Sequence, residues 1–304
     1  MRKTCAPAAR SRGNVAEAVL GGIRTHYEIV GDGPPLLMYA PGGFDATTDK
    51  WRTQGVYARI KLLDHLPRRY RCIAFDRREC GKSGGRVEPI TWAHYARQGK
   101  LLLEHLGIER AHLIGGCMGC SCVMAFAVDY PQATASMLLW WPVGGAKYRI
   151  KAHERFAAHL AFVRSGGLDA VVAHVRKEGK AFNADPRGGP WASPIRGDPA
   201  FAEAYAKLDA QKYAELVDKM AWELFDRDTS PGAEPEDLLK LDIPALIVPG
   251  RDDSHATSAA RYLEECLPQS QYWDVLPEQQ TETNAPGRLL DFLQAVSAVV
   301  PPRP

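Results

Sequence analysis

A cysteine flanked by glycines lies between an apolar run and an alanine-rich run of the chain. Cys117 is the central residue of a Gly-x-Cys-x-Gly pattern that begins at Gly115 and ends at Gly119. We interpret the run from Ala111 as a strand, the glycines as a tight turn and the run from Met118 as a helix, because only small residues let a strand and a helix pack so closely. A helix N-terminus favours a thiolate over a thiol. Cys117 is therefore a candidate nucleophile, although a buried cysteine can equally be a small core residue.

The composition is that of an ordinary globular protein. The chain has 304 residues, of which 45% are hydrophobic and 24% charged, and its formal net charge is +2, which gives no reason to expect nucleic acid as a partner. No run of about 18 apolar residues occurs, so we expect no membrane-spanning helix. Residues 1–13 are basic, lack the apolar segment of a secretory signal and are expected to form a disordered tail.

The cysteine count favours a reducing compartment. Seven cysteines, an odd number in a chain long enough to build a core, predict free thiols and a cytoplasmic protein better than a disulfide scaffold. Cys117, Cys120 and Cys122 form a Cys-x-x-Cys-x-Cys pattern, but no second ligand cluster accompanies it. We therefore expect no metal site, and we interpret Cys120 and Cys122 as packing residues.

Two further loops follow predicted strands. The first comes after the apolar run 35–40 and contains Gly43 and Phe44, where neighbouring glycines let backbone amides approach a ligand. The second begins at Asp76, the end of another apolar run, and reads Asp-Arg-Arg-Glu-Cys-Gly-Lys-Ser. It precedes Cys117 by about 40 residues.

Together these motifs resemble the α/β-hydrolase superfamily, with cysteine at the nucleophile elbow where most members carry serine, as in dienelactone hydrolases. The second loop is similar to the superfamily's Asp-x-Arg-Gly-x-Gly-x-Ser loop, except that Glu79 replaces the first glycine. The resemblance implies an oxyanion hole formed by the amide of Gly43 or Phe44 and the amide of Met118. Glu79 would either hold a proton near Cys117 or form a surface salt bridge with a neighbouring arginine.

The resemblance also implies the fold class and its domains. Alternating strand and helix patterns predict an α/β fold with a mostly parallel central sheet and helices on both faces. No strand signal occurs from 144 to 235, where superfamily members insert a helical cap. We therefore expect a core of residues 14–143 and 236–304 and a cap of residues 144–235. Four tryptophans in or beside this stretch would line a partly apolar pocket or belong to the core.

The catalytic acid and base are harder to assign. A Gly-x-x-Asp pattern from Gly250 makes Asp253 the candidate acid by resemblance, with Asp252 left open. The superfamily usually places its histidine after the last strand, but His255 is the last histidine of this chain. Counting back from the last predicted helix, Gln279 falls at the usual histidine position, and glutamine cannot accept a proton near neutral pH.

Three accounts of the missing base remain open. In the first, His255 acts as the base from the acid loop. In the second, the helix dipole keeps Cys117 ionised, and water, Glu79 or a histidine of the cap such as His153 or His159 assists later steps. In the third, the chemistry has been lost.

The sequence therefore predicts a cofactor-independent hydrolase or acyl transferase acting on an activated carbonyl, such as a lactone, ester or thioester. Its catalytic residues would be Cys117, Asp253 and His255, and Glu79 and Gln279 would be accessory. The substrate would be a small, partly apolar molecule, with no cofactor, metal, nucleic acid or membrane involved, and the oligomeric state stays open. The alternative is a non-catalytic protein of the same fold that binds a small apolar ligand beneath its cap.

Overall fold

A single eight-stranded sheet runs through the computed structural model, which describes residues 13–299. The predicted tail, residues 1–13, lies outside the described residues apart from Gly13. The strands, in chain order, are β1 (Asn14–Leu20), β2 (Ile23–Val30), β3 (Pro35–Tyr39), β4 (Arg71–Phe75), β5 (Ala111–Gly116), β6 (Thr134–Trp140), β7 (Ala245–Val248) and β8 (Ser270–Tyr272).

Helices connect these strands on both sides of the sheet. In chain order they are α1 (Lys50–Thr53), α2 (Gly55–Ile60), α3 (Leu62–His65), α4 (Trp92–His105), α5 (Gly119–Asp129), α6 (Ala146–Glu178), α7 (Ala192–Gly197), α8 (Pro199–Ala206), α9 (Ala210–Leu224), α10 (Pro235–Leu238), α11 (Thr257–Cys266) and α12 (Ala285–Val299). Short 3-10 turns occur at Leu66–Arg68, Pro131–Ala133, Pro186–Gly188 and Pro277–Gln279.

The sheet has the order β1-β2-β4-β3-β5-β6-β7-β8. Strands β1, β2 and β4 pair antiparallel, and every pair from β4/β3 to β7/β8 is parallel. The central strands are buried on both faces, as their continuous apolar sequences require. Leu37, Leu113 and Leu139 pack on one face, and Leu36 and Ile114 pack on the other. The predicted α/β class, with a mostly parallel sheet and helices on both faces, is confirmed.

The segment between β6 and β7 contains helices α6 to α10 and no strand. We call residues 144–235 the helical insert. Its first helix, α6, spans 33 residues but is kinked at Gly167, whose φ of +73° lies outside the helical region. One 18-residue stretch of α6, with a mean hydropathy of 1.2, is long and apolar enough to cross a membrane. The expectation that the chain has no membrane-spanning helix did not take this stretch into account. In this fold α6 packs against α8 and α9 within the insert, and its buried Phe156 also packs against Phe44 of the core.

Candidate active site

The turn that carries Cys117 is strained in the way the glycine pattern predicts. Cys117 has φ +55°, a left-handed conformation that side chains rarely adopt, and it lies between the end of β5 and the start of α5. A Cβ on Gly115 would lie 2.4 Å from the carbonyl oxygen of Gly119, and one on Gly119 would lie 2.4 Å from that of Tyr39. Glycine is therefore required on both sides. Cys117 is partly exposed, whereas the other five cysteines that the structure describes are buried.

His255 lies in the loop after β7 and is oriented by Asp252. Its Nδ1 is 2.8 Å from Asp252 Oδ1 and 2.9 Å from Oδ2. The backbone amides of Ser254 and His255 also donate to Asp252 Oδ1, at 2.8 and 3.0 Å. The hydrogen bond from His255 is the main reason why the pKa of Asp252 falls from 3.8 to about 2, against the opposing effect of burial.

The placement predicted for Asp253 is wrong. Its carboxylate is exposed and makes ion pairs with Lys147 and Lys151 at the start of α6, at 3.0 and 2.7 Å, and it makes no contact with His255. The backbone hydrogen bonds to Asp252 explain the difference: they turn the Asp252 carboxylate back over its own loop, where His255 follows, and the next side chain points away. Asp252, the alternative left open, is the residue beside the histidine.

The loop that carries His255 is attached to the chain leaving β6. Gly144 forms an isolated parallel bridge with His255: its amide donates to the Ser254 carbonyl at 3.1 Å, and its carbonyl accepts from the Ala256 amide at 3.3 Å. The indole ring of Trp141 packs against the imidazole, with ring centroids 5.5 Å apart. Trp141 itself adopts a left-handed φ of +56° directly after the last residue of β6. His255 is thus fixed by backbone and side-chain contacts.

Gln280, not Gln279, occupies the buried position after β8. Its side-chain amide nitrogen donates to the carbonyls of Pro249 and Val275, at 3.0 and 3.2 Å, and its Oε1 accepts from Trp141 Nε1 at 2.8 Å. Gln279 is exposed, and its Oε1 accepts a hydrogen bond from the amide of Leu276 within the same loop. That Gln279 stands at the superfamily's usual histidine position stays a prediction; the residue ends the 3-10 turn Pro277–Gln279.

Cys117 and His255 interact electrostatically. Burial is the largest single influence on the Cys117 thiol and raises its pKa. The charge of His255, hydrogen bonding to His255 and the backbone amides of Gly42 and Met118 together outweigh burial, so that the pKa lies below its ordinary value. The pKa of His255 is raised in turn, because the charge of Cys117 and the hydrogen bond to Asp252 outweigh burial. His255 Nε2 has no hydrogen-bond partner of ordinary geometry among the described residues. The imidazole is therefore close enough to favour the thiolate while its Nε2 stays available.

Backbone amides beside the sulfur form a potential anion site. Met118 was predicted to contribute, and its amide and that of Gly42 both stabilise the thiolate. Gly42 was missed, although its position in the glycine loop was a sufficient signal. The amides of Gly43 and Phe44, the other predicted donors, have no hydrogen-bond partner among residues 13–299. These donors suit a negatively charged oxygen or sulfur.

A buried arginine supports the glycine loop from behind. Arg77 donates from Nη2 to the carbonyl of Gly42 at 3.2 Å and to that of Gly43, and its guanidinium lies 4.6 Å from the centre of the Tyr95 ring. These two carbonyls belong to the peptide units that carry the amides of Gly43 and Phe44. A cation on the carbonyl side polarises each unit and makes its N–H a stronger donor.

Glu79 does not contact Cys117. Both of its carboxylate oxygens accept from Arg78 Nε at 3.0 Å, and Oε1 also accepts from the Arg86 amide at 3.2 Å. The arginine partner was predicted, but the pair is buried rather than on the surface: Glu79 is 0% exposed, with a left-handed φ of +65°. Burial raises the pKa of Glu79 to about 7 in spite of Arg78.

The other candidate groups are engaged elsewhere. His153 Nε2 lies 2.9 Å from the Phe225 carbonyl, and His159 Nε2 lies 2.7 Å from the Tyr213 hydroxyl, both inside the insert. Cys120 points its sulfur at the Gly115 carbonyl, 3.1 Å away, and burial raises its pKa well above the ordinary value. Within residues 13–299 no group of three His, Cys, Asp or Glu side chains is arranged to hold a metal ion.

A family model and several known proteins match part of the chain in sequence. The family model described as the alpha/beta hydrolase fold matches residues 35–140. A dihydrolipoyllysine-residue acetyltransferase component of the acetoin cleaving system of Cupriavidus necator is 32% identical over 127 residues, which are 42% of this chain and 32% of that protein. A 2-hydroxy-6-oxo-6-phenylhexa-2,4-dienoate hydrolase of Comamonas testosteroni is 32% identical over 133 residues, 43% of this chain and 44% of that one. The chain thus spans less than half the length of these relatives.

Solved structures match over nearly the whole chain. An esterase from Thermogutta terrifontis superposes with a TM-score of 0.62 at 21% identity, covering 93% of this chain and 99% of that one. The enol-lactonase from Burkholderia xenovorans superposes with a TM-score of 0.57 at 19% identity, covering 92% and 100%. The chain therefore has the α/β-hydrolase fold.

Proposed function

We propose that the protein is a cofactor-independent hydrolase that uses Cys117 as a nucleophile on an activated carbonyl, such as a lactone, ester or thioester. His255 is the base and acid, and Asp252 orients it. The amide of Met118 and amides of the loop Gly42–Phe44 bind the oxyanion. The helical insert acts as a cap over this site.

One observation carries the proposal. Cys117 alone, among the six cysteines that the structure describes, has a pKa below the ordinary thiol value, because His255 and the amides of Gly42 and Met118 together outweigh the effect of burial. Burial raises the pKa of the others, to about 12 for Cys72 and Cys80. A thiolate paired with an imidazolium is the reactive form of a cysteine nucleophile. The account in which His255 acts from the acid loop is therefore preferred to the other two.

The acylation step follows from these positions. The Cys117 thiolate attacks the carbonyl carbon, a C–S bond forms, and the carbonyl electron pair moves to the oxygen that the loop amides receive. When this tetrahedral species collapses, the C–O or C–S bond to the leaving group breaks. The His255 imidazolium gives its Nε2 proton to that leaving group, and the acyl group stays on the sulfur.

Deacylation reverses the proton path. His255, now neutral, takes a proton from water through Nε2, and the hydroxide formed attacks the thioester carbon. The C–S bond breaks, the acid leaves and the thiolate–imidazolium pair is restored. An acceptor other than water would make the protein an acyl transferase, and one curated relative is named as an acetyltransferase component. Relatives named as dienoate and carbamate hydrolases support the hydrolase.

Trapping of the acyl-enzyme tests the proposal. The protein is mixed with 4-nitrophenyl acetate and quenched in acid, and its intact mass is measured by mass spectrometry. We expect one acetyl adduct. Peptide mapping should place it on Cys117. The adduct should be absent from Cys117→Ala. It should be retained in Cys266→Ala, which removes the buried thiol at the last residue of α11.

The outcomes separate the two function classes. An adduct on Cys117 that decays with the rate of nitrophenol release supports a hydrolase. If neither acetyl adduct nor turnover is seen with esters, lactones and thioesters, the hydrolase proposal is wrong. The non-catalytic ligand-binding protein then takes its place, and binding of small apolar probes to Cys117→Ala and wild type should be equal.

A further inference from the structure

One segment of the helical insert packs on the loop Gly42–Phe44, which we call the oxyanion loop. This segment, residues 179–185, follows α6 directly, and we call it the insert loop. Its Phe182 is 0% exposed and packs edge-on against Phe44, with ring centroids 5.4 Å apart. Phe156 of α6 contacts both rings, at 5.7 and 5.1 Å. Three aromatic rings therefore fix the insert loop against the oxyanion loop.

The residue after Phe182 lies directly on a glycine of the oxyanion loop. A Cβ placed on Gly43 would lie 2.7 Å from Asn183 Nδ2 and 2.8 Å from Asn183 Oδ1. A larger residue at position 43 would therefore displace the carboxamide. The glycine that lets an amide approach a ligand also makes room for a side chain of the insert.

A hydrogen bond joins Asn183 to the end of the oxyanion loop. Asn183 Nδ2 donates to Asp45 Oδ1 at 2.8 Å, and Lys50 Nζ pairs with the other carboxylate oxygen. Asp45 Oδ1 in turn lies against Gly42, where an added Cβ would be 2.8 Å away. The Asp45 side chain is only 23% exposed, and a hydrogen bond to an ionised acceptor is stronger than one between neutral groups. The linked side chains of Asn183 and Asp45 thus lie across both glycines.

The core holds the same loop through its carbonyls. Arg77, which is 1% exposed, donates to the carbonyls of Gly42 and Gly43. The amides of Gly43 and Phe44 have no hydrogen-bond partner among the described residues. Contacts from Arg77 and Asn183 therefore fix the backbone of the loop and leave its amides free to bind an oxyanion.

We propose that Asn183 is a positioning residue for the oxyanion loop, so that core and insert form the anion site together. By holding Asp45 against Gly42, it fixes the two peptide units that carry the amides of Gly43 and Phe44. Donors aimed at a developing charge are effective when they are held in place before the reaction. This inference rests on the proposed function, because it gives these amides the role of binding the oxyanion.

Asn183→Asp tests the hydrogen bond without changing the shape of the side chain. It replaces the donor by a second carboxylate that faces Asp45. In Asn183→Asp and Asn183→Ala we expect the limiting rate constant of acylation by 4-nitrophenyl acetate, measured from the nitrophenol burst, to fall by about 10-fold or more. The concentration for half-saturation should change by less than about twofold, because the negative oxygen does not exist in the bound ester.

Exchange of the two partners supplies a rescue. In the double variant Asp45→Asn/Asn183→Asp the donor and the acceptor change places, so the hydrogen bond can form again and acylation should recover most of the loss seen in Asn183→Asp. Gln211 of α9 supplies the matched control. Its side-chain amide also donates to a carboxylate of the insert, Glu215 Oε1 at 2.9 Å, and Gln211→Ala should be acylated at the wild-type rate.

Three outcomes would overturn the proposal in variants that thermal melting shows to be folded. The first is a wild-type acylation rate in both Asn183→Ala and Asn183→Asp. The second is a loss carried by half-saturation alone, which would indicate substrate packing. The third is an equal loss in Gln211→Ala, which would indicate a general loosening of the insert. In each case Cys117 is still acylated, so the proposed function would stand.

A second measurement tests the positioning role if no ester reacts. The amide of Gly42 helps to keep Cys117 ionised, so a displaced oxyanion loop should raise the pKa of the thiol. The rate of iodoacetamide alkylation of Cys117 as a function of pH reports this pKa without turnover. A profile displaced upward in Asn183→Ala and not in Gln211→Ala supports the positioning role even where the hydrolase proposal fails. One profile common to wild type and both variants overturns it.

Discussion

The adjacent aspartates Asp252 and Asp253 offer a sharp test of the site, because they are alike in sequence and differ in contact. Asp252 hydrogen-bonds to His255 Nδ1, and Asp253 pairs with two lysines of α6. Asp252→Asn should lower the pKa of His255 and, through it, raise the pKa of the Cys117 thiol. Asp253→Asn should leave both unchanged, since no contact connects it to the histidine.

The size of the effect follows from the pKa of Asp252. The pKa falls from 3.8 to about 2. At about 1.4 kcal/mol for each pKa unit, the ionised carboxylate is stabilised by about 2.5 kcal/mol. The side chain is 50% exposed, so solvent screening reduces the interaction to about 1 kcal/mol. We therefore expect the apparent pKa of Cys117 to rise by roughly 0.5 to 1 in Asp252→Asn, and kcat/KM on an activated ester to fall by about five- to tenfold.

The assay is the rate of iodoacetamide alkylation of Cys117 as a function of pH, resolved by peptide mapping. Wild type and Asp253→Asn should share one profile, displaced below that of an unperturbed thiol, and Asp252→Asn should be displaced upward. A larger shift for Asp253→Asn than for Asp252→Asn would refute the assignment. A profile common to all three proteins would refute the coupling of Asp252 to the thiol through His255.

Three further outcomes are expected. His255→Ala should lower ester turnover by roughly 10²-fold or more with little change in melting temperature, the range for a positioned acid–base group, and steady-state kinetics measure it. Trp141→Phe keeps a ring near His255 but leaves Gln280 Oε1 without its donor, so urea denaturation should show a loss of about 1 to 2 kcal/mol. Glu79 binds its proton more tightly when folded, so wild-type stability should fall as pH rises from about 4.5 to about 7, and Glu79→Gln should lack this decline in thermal melts.

The local patterns were sufficient for the sheet and the elbow. Each strand of the parallel part is a short apolar run that closes at a turn, and the spacing of such runs depends little on distant residues. The Gly-x-Cys-x-Gly pattern predicted the tight turn at Cys117, because the need for Gly115 comes from the Gly119 carbonyl only four residues later. Where the chain is locally consistent, sequence reasoning succeeds.

The site required information that short patterns do not hold. The choice between Asp252 and Asp253 depends on which carboxylate accepts the loop amides, and an Asp followed two residues later by Ser was a usable signal for that turn. The burial of Glu79 depends on Arg78 and on packing from the insert: a Cβ added to Gly85 would lie 3.0 Å from Glu79 Cγ and 3.1 Å from Pro194 Cγ. No count along the chain predicts such a contact.

The position of the base illustrates the same point. The loop after the last strand carries the buried Gln280, whose side-chain amide hydrogen-bonds to Pro249, Val275 and Trp141. Trp141 in turn packs on His255, which the bridge to Gly144 holds beside the nucleophile. In the mechanism we propose, the base therefore comes from the loop after β7 and not from the loop after the last strand. A catalytic set is recognised by geometry and roles, since the same constellation can be reached from different positions along a chain.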